Sequence, residues 1–399
     1  VIWPSRSIIA GSCFATYQLK VFLRPLISRV LSWHPSVALE FFVDDAVVSG
    51  TGPSASGVAA LVSGSASDLV RALEADRLGI ASEKTAVVSS SICCAKKVAR
   101  ALRLPSSVVS RSAKDLGVDF TAGNRLSLAN LSVFAKRRKK ARFRVNKVAL
   151  FAKAKRSASK LYFTGALPES SYGVEVVGAS DAVLTAFRRD AAKCLVGISG
   201  HRRSLDLTFG LMHWQDPAAK AAVAPLVRYA KEVWLASSPA ADPSAIKYAT
   251  LVRGFHSVVL NGKAPRSWGY ARGPLGVAHL SARRIGWTFV SPVVVKDSRG
   301  NCFNFFQLTP AEVRKLAMSA FASSSLSRGF ARLSAPDLPI DRDRAADSPF
   351  VDAVVAAFRS SSLNALQSGA ILRNFAGGTY LASHLVRMGF QLSLNCPLC

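Results

Sequence analysis

Apolar positions recur at helical spacing over residues 14–33, and the periodicity predicts one long helix that Pro25 bends. The pattern then switches to LEFFVDDAVV over residues 39–48, two short apolar β-type runs with Asp44 and Asp45 between them. A loop of small residues is expected over 49–57, and Ser67 or Asp68 is placed to cap a helix running to Arg77, which Gly79 would end. Ala81 to Thr85 open a strand over residues 86–90, and residues 95–104 read as a short helix closed by Pro105. Residues 114–120, KDLGVDF, read as a turn entering a short strand. The order helix, hairpin, helix, strand, helix, strand predicts an α+β layer over residues 1–120.

Residues 121–235 change character. A heavily basic helix is expected over 136–160, interleaved with Phe134, Phe143, Val148, Leu150 and Phe151, and a second helical block from Leu167 to about Trp234. Beyond Ser237 the chain is broken more often by Pro, Ser and Gly, with further helical segments, a mixed-charge stretch at 342–347 and an apolar helix at 351–358. This gives three regions, 1–120, 121–235 and 236–399, the last two mostly helical, and no internal repeat.

At 399 residues the chain can bury two or three cores, and its 50% hydrophobic content marks folded material. Lys and Arg number 52 against 24 Asp and Glu, a formal charge of +28. That excess calls for a polyanionic partner, nucleic acid first and an anionic membrane surface second. No run reaches the roughly 18 consecutive apolar residues of a membrane span, so no membrane partner is expected from that source. The sequence opens on Val1 without a charged-then-apolar leader, which reads as a fragment whose N-terminus lies upstream. Seven Cys, an odd number without framework spacing, fit reduced thiols and an intracellular setting.

Candidate chemistry centres on Asp44 and Asp45. Tight hairpin turns prefer Asn-Gly or Asp-Gly because they need positive φ, so turn chemistry explains an Asp-Asp pair poorly. Two adjacent carboxylates repel each other and resist desolvation; a hard divalent cation relieves both. Two-metal phosphoryl transfer needs a third carboxylate from another strand, and no Asp or Glu precedes Glu40. An exposed turn that tolerates charge is the alternative. Lys84, beyond the next turn, is placed to stabilise a leaving pyrophosphate, or is an ordinary surface lysine. Gly11 and Ser12 permit close backbone approach to a nucleotide, or simply start a helix. The basic run (Lys136, Arg137, Arg138, Lys139, Lys140, Arg142, Arg144, Lys147, Lys153, Lys155) lacks nearly any acidic neighbour in sequence, which favours phosphate contact over a solvated face. Cys396 and Cys399 with His384 make part of a zinc ligand set, or a chance CxxC.

Taken in order, these blocks resemble a reverse transcriptase of a non-LTR retrotransposon. Phe42-Val43-Asp44-Asp45 is similar to the aromatic-x-Asp-Asp box, with Phe42 in place of the commoner Tyr. Ala10-Gly11-Ser12-Cys13-Phe14-Ala15 is similar to the glycine-bearing block before it, although Ile9-Ala10 stands where Pro-Gln is usual. Ser82-Glu83-Lys84-Thr85 resembles the lysine-bearing block, and Lys114-Asp115-Leu116-Gly117-Val118 the hairpin that grips the primer end. Residues 167–175, LPESSYGVE, resemble a segment after the thumb, and residues 384–399 the start of a Cys/His knuckle.

The resemblance implies a partial polymerase palm over 1–120, a basic helical thumb over 121–235 and a helical C-terminal region ending in a truncated knuckle. It implies two-metal nucleotidyl transfer to a primer 3′-OH, with Mg²⁺ or Mn²⁺ on Asp44 and Asp45 and Lys84 assisting pyrophosphate departure. It further implies an RNA template, a DNA primer and dNTPs, contacts from Gly11, Ser12, Phe42, Leu116 and Gly117, zinc at the knuckle, and residence in the nucleus. The block with the first catalytic Asp would precede Val1, so these 399 residues alone are expected not to polymerise. The competing expectations are a non-catalytic basic nucleic-acid-binding protein and a decayed retroelement relic.

Overall fold

The computed structural model describes residues 14–43, 45–121, 132–195, 204–212, 215–237, 247–260, 267–271 and 273–333. It is α+β, mostly helical with small sheets, and divides into two compact units: residues 1–124 with 128–131, and residues 125–127 with 132–399.

In the first unit α1 (Ala15–Trp33) carries Pro25 inside it and buries Leu23, Leu26 and Val30 against Leu69, Ala72 and Leu73 of α2 (Ala55–Ala75). The strands β1 (Ala38–Phe42) and β2 (Asp45–Ser49) form an antiparallel hairpin that lays Leu39, Phe41 and Val48 on the same cluster. Alternation along β1 thus buries one face only, as a hairpin packed on helices requires.

Helix α2 starts twelve or more residues before the expected cap. Ser54 is the N-cap, accepting from Gly57 N at 3.0 Å, so the expected loop of small residues holds over 50–54 and only its last three residues, 55–57, are helical. Packing sets this early start: Ala59, with Val58 and Val62 beside it, closes on Cys94 and Val98 of α3 (Ile92–Ala101). The buried Ser65 hydroxyl returns to the Leu61 carbonyl at 2.9 Å. Asp68 is no cap but a mid-helix acceptor, pairing with His34 Nε2 at 2.7 Å and with Arg71.

Both helices stop by the same device. Arg77 and Arg103 take positive φ, 62° and 54°, while Leu78 N reaches Leu73 O at 2.9 Å and Leu104 N reaches Ala99 O at 2.8 Å. These six-to-one bonds close the helix ends, with an arginine in the left-handed position where glycine is commonest. Gly79 is therefore not the stop, and α3 begins and ends three residues earlier than its pattern predicts.

The expected strand at 86–90 shrinks to β3 (Val87–Val88), parallel to β4 (Val109–Ser110). The KDLGVDF segment is a full hairpin, β5 (Ser112–Asp115) and β6 (Val118–Thr121), around Leu116-Gly117. Both turn residues have positive φ, 43° and 78°, as a two-residue turn twisted to match its strands demands.

The second unit opens with α4 (Ser132–Ala154), then a 3-10 turn, a π-helical turn at Tyr162–Ala166, α5 (Leu167–Ser171), α6 (Val174–Val177) and α7 (Asp181–Cys194). After α8 (Leu205–Leu211) comes the central α9 (Pro217–Ser237), inside which the expected boundary at 235 falls. Its residues Ala218, Ala222, Val223, Leu226, Ala230 and Val233 are almost wholly buried. Then follow α10 (Tyr248–Phe255), α11 (Gly273–Arg284) and α12 (Pro310–Leu333). Gly178, at φ 74°, must lack a side chain, because a Cβ there would meet the Trp268 ring at 2.3 Å.

Two features of this unit go beyond the mostly helical expectation, a small sheet and a buried polar node. Between α11 and α12 lies a three-stranded antiparallel sheet, β7 (Thr288–Phe289), β8 (Val294–Lys296) and β9 (Cys302–Asn304). Strands of two or three residues leave too little alternation to read from sequence. Edge-to-face packing of Tyr229 on Phe289 and Phe305, with centroids 5.5 and 6.2 Å apart, anchors the sheet to α9. The second feature is a buried polar node. Arg188 on α7 donates Nε to both Asp216 carboxylate oxygens, Nη1 to Asp206 at 2.6 Å and Nη2 to Ser325 at 2.8 Å. Burial alone would lower its pKa, but the bonds to Asp216 and Asp206 raise it.

Candidate functional site

The first hairpin places Asp45 one residue away from the expected register. Phe42 pairs with Asp45, the first residue of β2, and Val43 lies in the turn that follows β1. Asp44 lies outside the described residues, as do Gly11, Ser12, His384, Cys396 and Cys399. Val43 takes φ 58°, a conformation that a β-branched side chain adopts only under strain. Asp45 is exposed and Phe42 is 61% exposed, so the turn is an open tip and not the mouth of a buried strand pair. Glu40, the next acidic residue, pairs with Val47 further along the ladder.

Lys84 is exposed in a short 3-10 turn, Ser82–Lys84, of the same unit. Among the described residues no ion pair or hydrogen bond joins it to Asp45, and no three His, Cys, Asp or Glu side chains converge on a common point. Leu116, 42% exposed, and Gly117 form the tip of the second hairpin.

Beside the first hairpin runs a groove of about 320 Å³ that the sequence did not announce. Leu19, Leu23, Leu39, Phe41 and Val43 line it with apolar side chains, and the exposed Lys20 and Arg24 line it with charge. Their spacing of four residues on α1 was the available signal.

Helix α4 shows how the basic run is arranged. Phe134, Ala141, Val145, Val148 and Ala152 recur at spacings of seven, four, three and four, and all are buried. Val145 and Val148 join Tyr162, Ala191, Cys194 and Phe209 in one core cluster. Every basic side chain is thereby turned sideways or outward. Lys136, Lys139, Lys140, Arg142, Arg144, Lys147, Lys153 and Lys155 are exposed, while Arg137 and Arg138 are half-buried.

The run does have acidic partners, supplied from elements distant in sequence. Glu169 on α5 pairs with Lys140 at 3.2 Å and Arg144 at 2.9 Å. Asp190 on α7 faces Arg138 and Arg142: burial pushes the Asp190 carboxyl up, against the pull of Lys193 and both arginines. Burial likewise lowers the Arg138 guanidinium, with Asp190 opposing. Arg137 lies over the Tyr172 ring, 4.2 Å from its centroid. The LPESSYGVE segment therefore braces one flank of α4. Lys136, Lys139, Lys153 and Lys155 make no ion pair among the described residues.

The aromatics interleaved with these cations divide in two. Phe134 belongs to the core, but Phe143, Leu150 and Phe151 are 64%, 67% and 62% exposed. Lys147 Nζ sits 4.7 Å from the Phe143 ring centroid. Their being out of phase with the buried positions is the sequence signal that separates them. No helix among the described residues is long and apolar enough to cross a membrane. Neither a family model, nor a curated protein, nor a solved structure matches the chain.

Proposed function

We propose that the chain is part of a reverse-transcriptase-like RNA-directed DNA polymerase of a retroelement. Residues 1–120 act as part of the palm and α4 as the element that holds the template-primer backbone. The observation that carries this reading is the β1–β2 hairpin with the exposed Asp45 at the start of β2, the residue that follows Asp44 in sequence. The Leu116-Gly117 hairpin and the exposed Lys84 in the same unit support it. In this reading Asp44 and Asp45 supply two carboxylates of a magnesium or manganese site, Lys84 faces the leaving pyrophosphate, and Phe42 and the second hairpin contact nucleic acid. A third carboxylate has to come from elsewhere. No catalytic step is assigned to residues 1–399 alone, and these residues are expected to bind template-primer without extending it.

A second reading, a basic nucleic-acid-binding protein without chemistry, is favoured by one observation: α4 exposes Lys136, Lys139 and Lys147 beside the exposed Phe143 ring. Primer extension on an oligo(dT)-primed RNA template separates the two, using residues 1–399 and a longer product that joins them to any in-frame segment found upstream. Extension by the longer product, abolished by Asp44→Ala with template-primer binding intact, supports the polymerase. Binding by both products with no extension by either, and no effect of Asp44→Ala, gives the second reading.

A further inference from the structure

We infer that the outward face of α4 is a docking surface for single-stranded nucleic acid, with Phe143 as a base-stacking platform and Lys136, Lys139 and Lys147 contacting phosphates. The inference rests on the nucleic-acid-binding part of the function proposed above and not on polymerase chemistry.

Helical geometry sets out the surface. At 100° per residue, Lys136, Lys139, Phe143, Lys147 and Leu150 fall on the side of α4 opposite Ala141, Val145 and Val148, which are buried. Phe143 and Leu150 are seven residues apart, so about 10 Å separates them along the axis, with Lys147 between. A lone exposed Phe needs no explanation. Here Phe143, Leu150 and Phe151 project within nine residues of the most basic helix in a chain of charge +28.

Charge complementarity selects a polyanion, and the aromatic selects its form. A duplex hides the faces of its bases and offers only phosphates and groove edges, for which the lysines suffice. Unpaired bases stack on any exposed ring regardless of sequence. The Lys147 ammonium over the Phe143 ring does not bar a base, because an exposed cation–π contact is weaker than base stacking. Displaced, the ammonium is free to meet the adjoining phosphate. An anionic membrane is the less fitting occupant. An interfacial helix commits its broad apolar face to lipid, and that face of α4 is already buried in the unit's core.

The test is fluorescence anisotropy of the full 399-residue chain with a labelled oligo(dT) of about 20 nucleotides, and with a blunt duplex of the same length, across a salt series. Phe143→Ala should weaken oligo(dT) binding roughly tenfold while leaving duplex affinity and both salt slopes unchanged, and Phe143→Tyr should restore it. Lys139→Ala should weaken both ligands and lower the single-strand salt slope by about 0.7. Phe143 is largely exposed, so circular dichroism should show the fold intact. Loss on both ligands alike, or on neither, overturns the stacking assignment while leaving the nucleic-acid reading in place. If the parent chain binds neither ligand, both fall. If Phe143→Ala spares oligo(dT) but abolishes binding to phosphatidylserine vesicles, the face belongs to a membrane.

Discussion

Phe42 faces Asp45 across the last rung of the first hairpin, which places Val43 in the tight turn at φ 58°. Left-handed backbone at a β-branched residue costs on the order of 1–3 kcal/mol. Val43→Asn, a residue that tolerates this region, should therefore raise the stability of the first unit by about 1 kcal/mol. Denaturant unfolding read by far-UV circular dichroism measures it. A loss of stability would show that the contact of Val43 with the groove beside α1 outweighs the strain it carries.

Asp216 holds the Arg188 guanidinium by a fork and at the same time accepts from Ala218 N at 2.9 Å, capping α9. Removing one partner of a buried pair leaves an uncompensated charge, a loss of about 3–5 kcal/mol. Asp216→Ala should unfold the second unit at moderate temperature. Asp206→Ala should cost less, because Arg188 keeps its fork and α9 keeps its cap. Thermal melts of the two variants compare them, and equal losses would contradict the order.

His279 on α11 is buried and stacked on Phe289 at 6.2 Å, and its Nδ1 finds no hydrogen-bond partner among the described residues. Burial, and then the Arg283 charge, lower its pKa below the ordinary 6.5. Above pH 6.5 neither folded nor unfolded chain binds this proton. As pH falls below 6.5 the unfolded chain takes it up first, so stability declines until the folded pKa is passed. His279→Phe, which keeps a ring against Phe289, should flatten this part of the profile. Melting midpoints at pH 7.5 and pH 5 for parent and variant check it; the same decline in both would assign the acid sensitivity elsewhere.

How much of this was legible in sequence depends on whether the deciding contact is local. The long helix through Pro25, the hairpin around Leu116-Gly117 and the core phase of α4 are written in spacings of two, three and four residues. The start of α2 was not, because Ala59 becomes helical through contact with Cys94 and Val98, over thirty residues away. Arg77 and Arg103 end their helices by a backbone conformation that their residue type does not advertise. At the candidate site, residue types and order were readable, but register was not: a shift of one residue moved Asp45 from turn to strand. The counter-charges of α4, Glu169 and Asp190, lie fifteen or more residues beyond its end and were invisible to a reading of the run itself.

Those counter-charges make a last prediction. Glu169 is largely buried and bridges Lys140 and Arg144, which are themselves mostly solvated, so its contribution to stability is modest, about 1 kcal/mol or less. Its larger effect is on binding, because each cation it holds is partly withdrawn from a phosphate. Glu169→Gln keeps the shape and removes the charge. Affinity for oligo(dT) should rise several-fold, and the salt slope should steepen by about 0.7 for each lysine or arginine released onto the strand. Anisotropy across a salt series on parent and variant decides the matter. An unchanged slope would place Lys140 and Arg144 off the strand's path and leave Lys136, Lys139 and Lys147 to guide it alone.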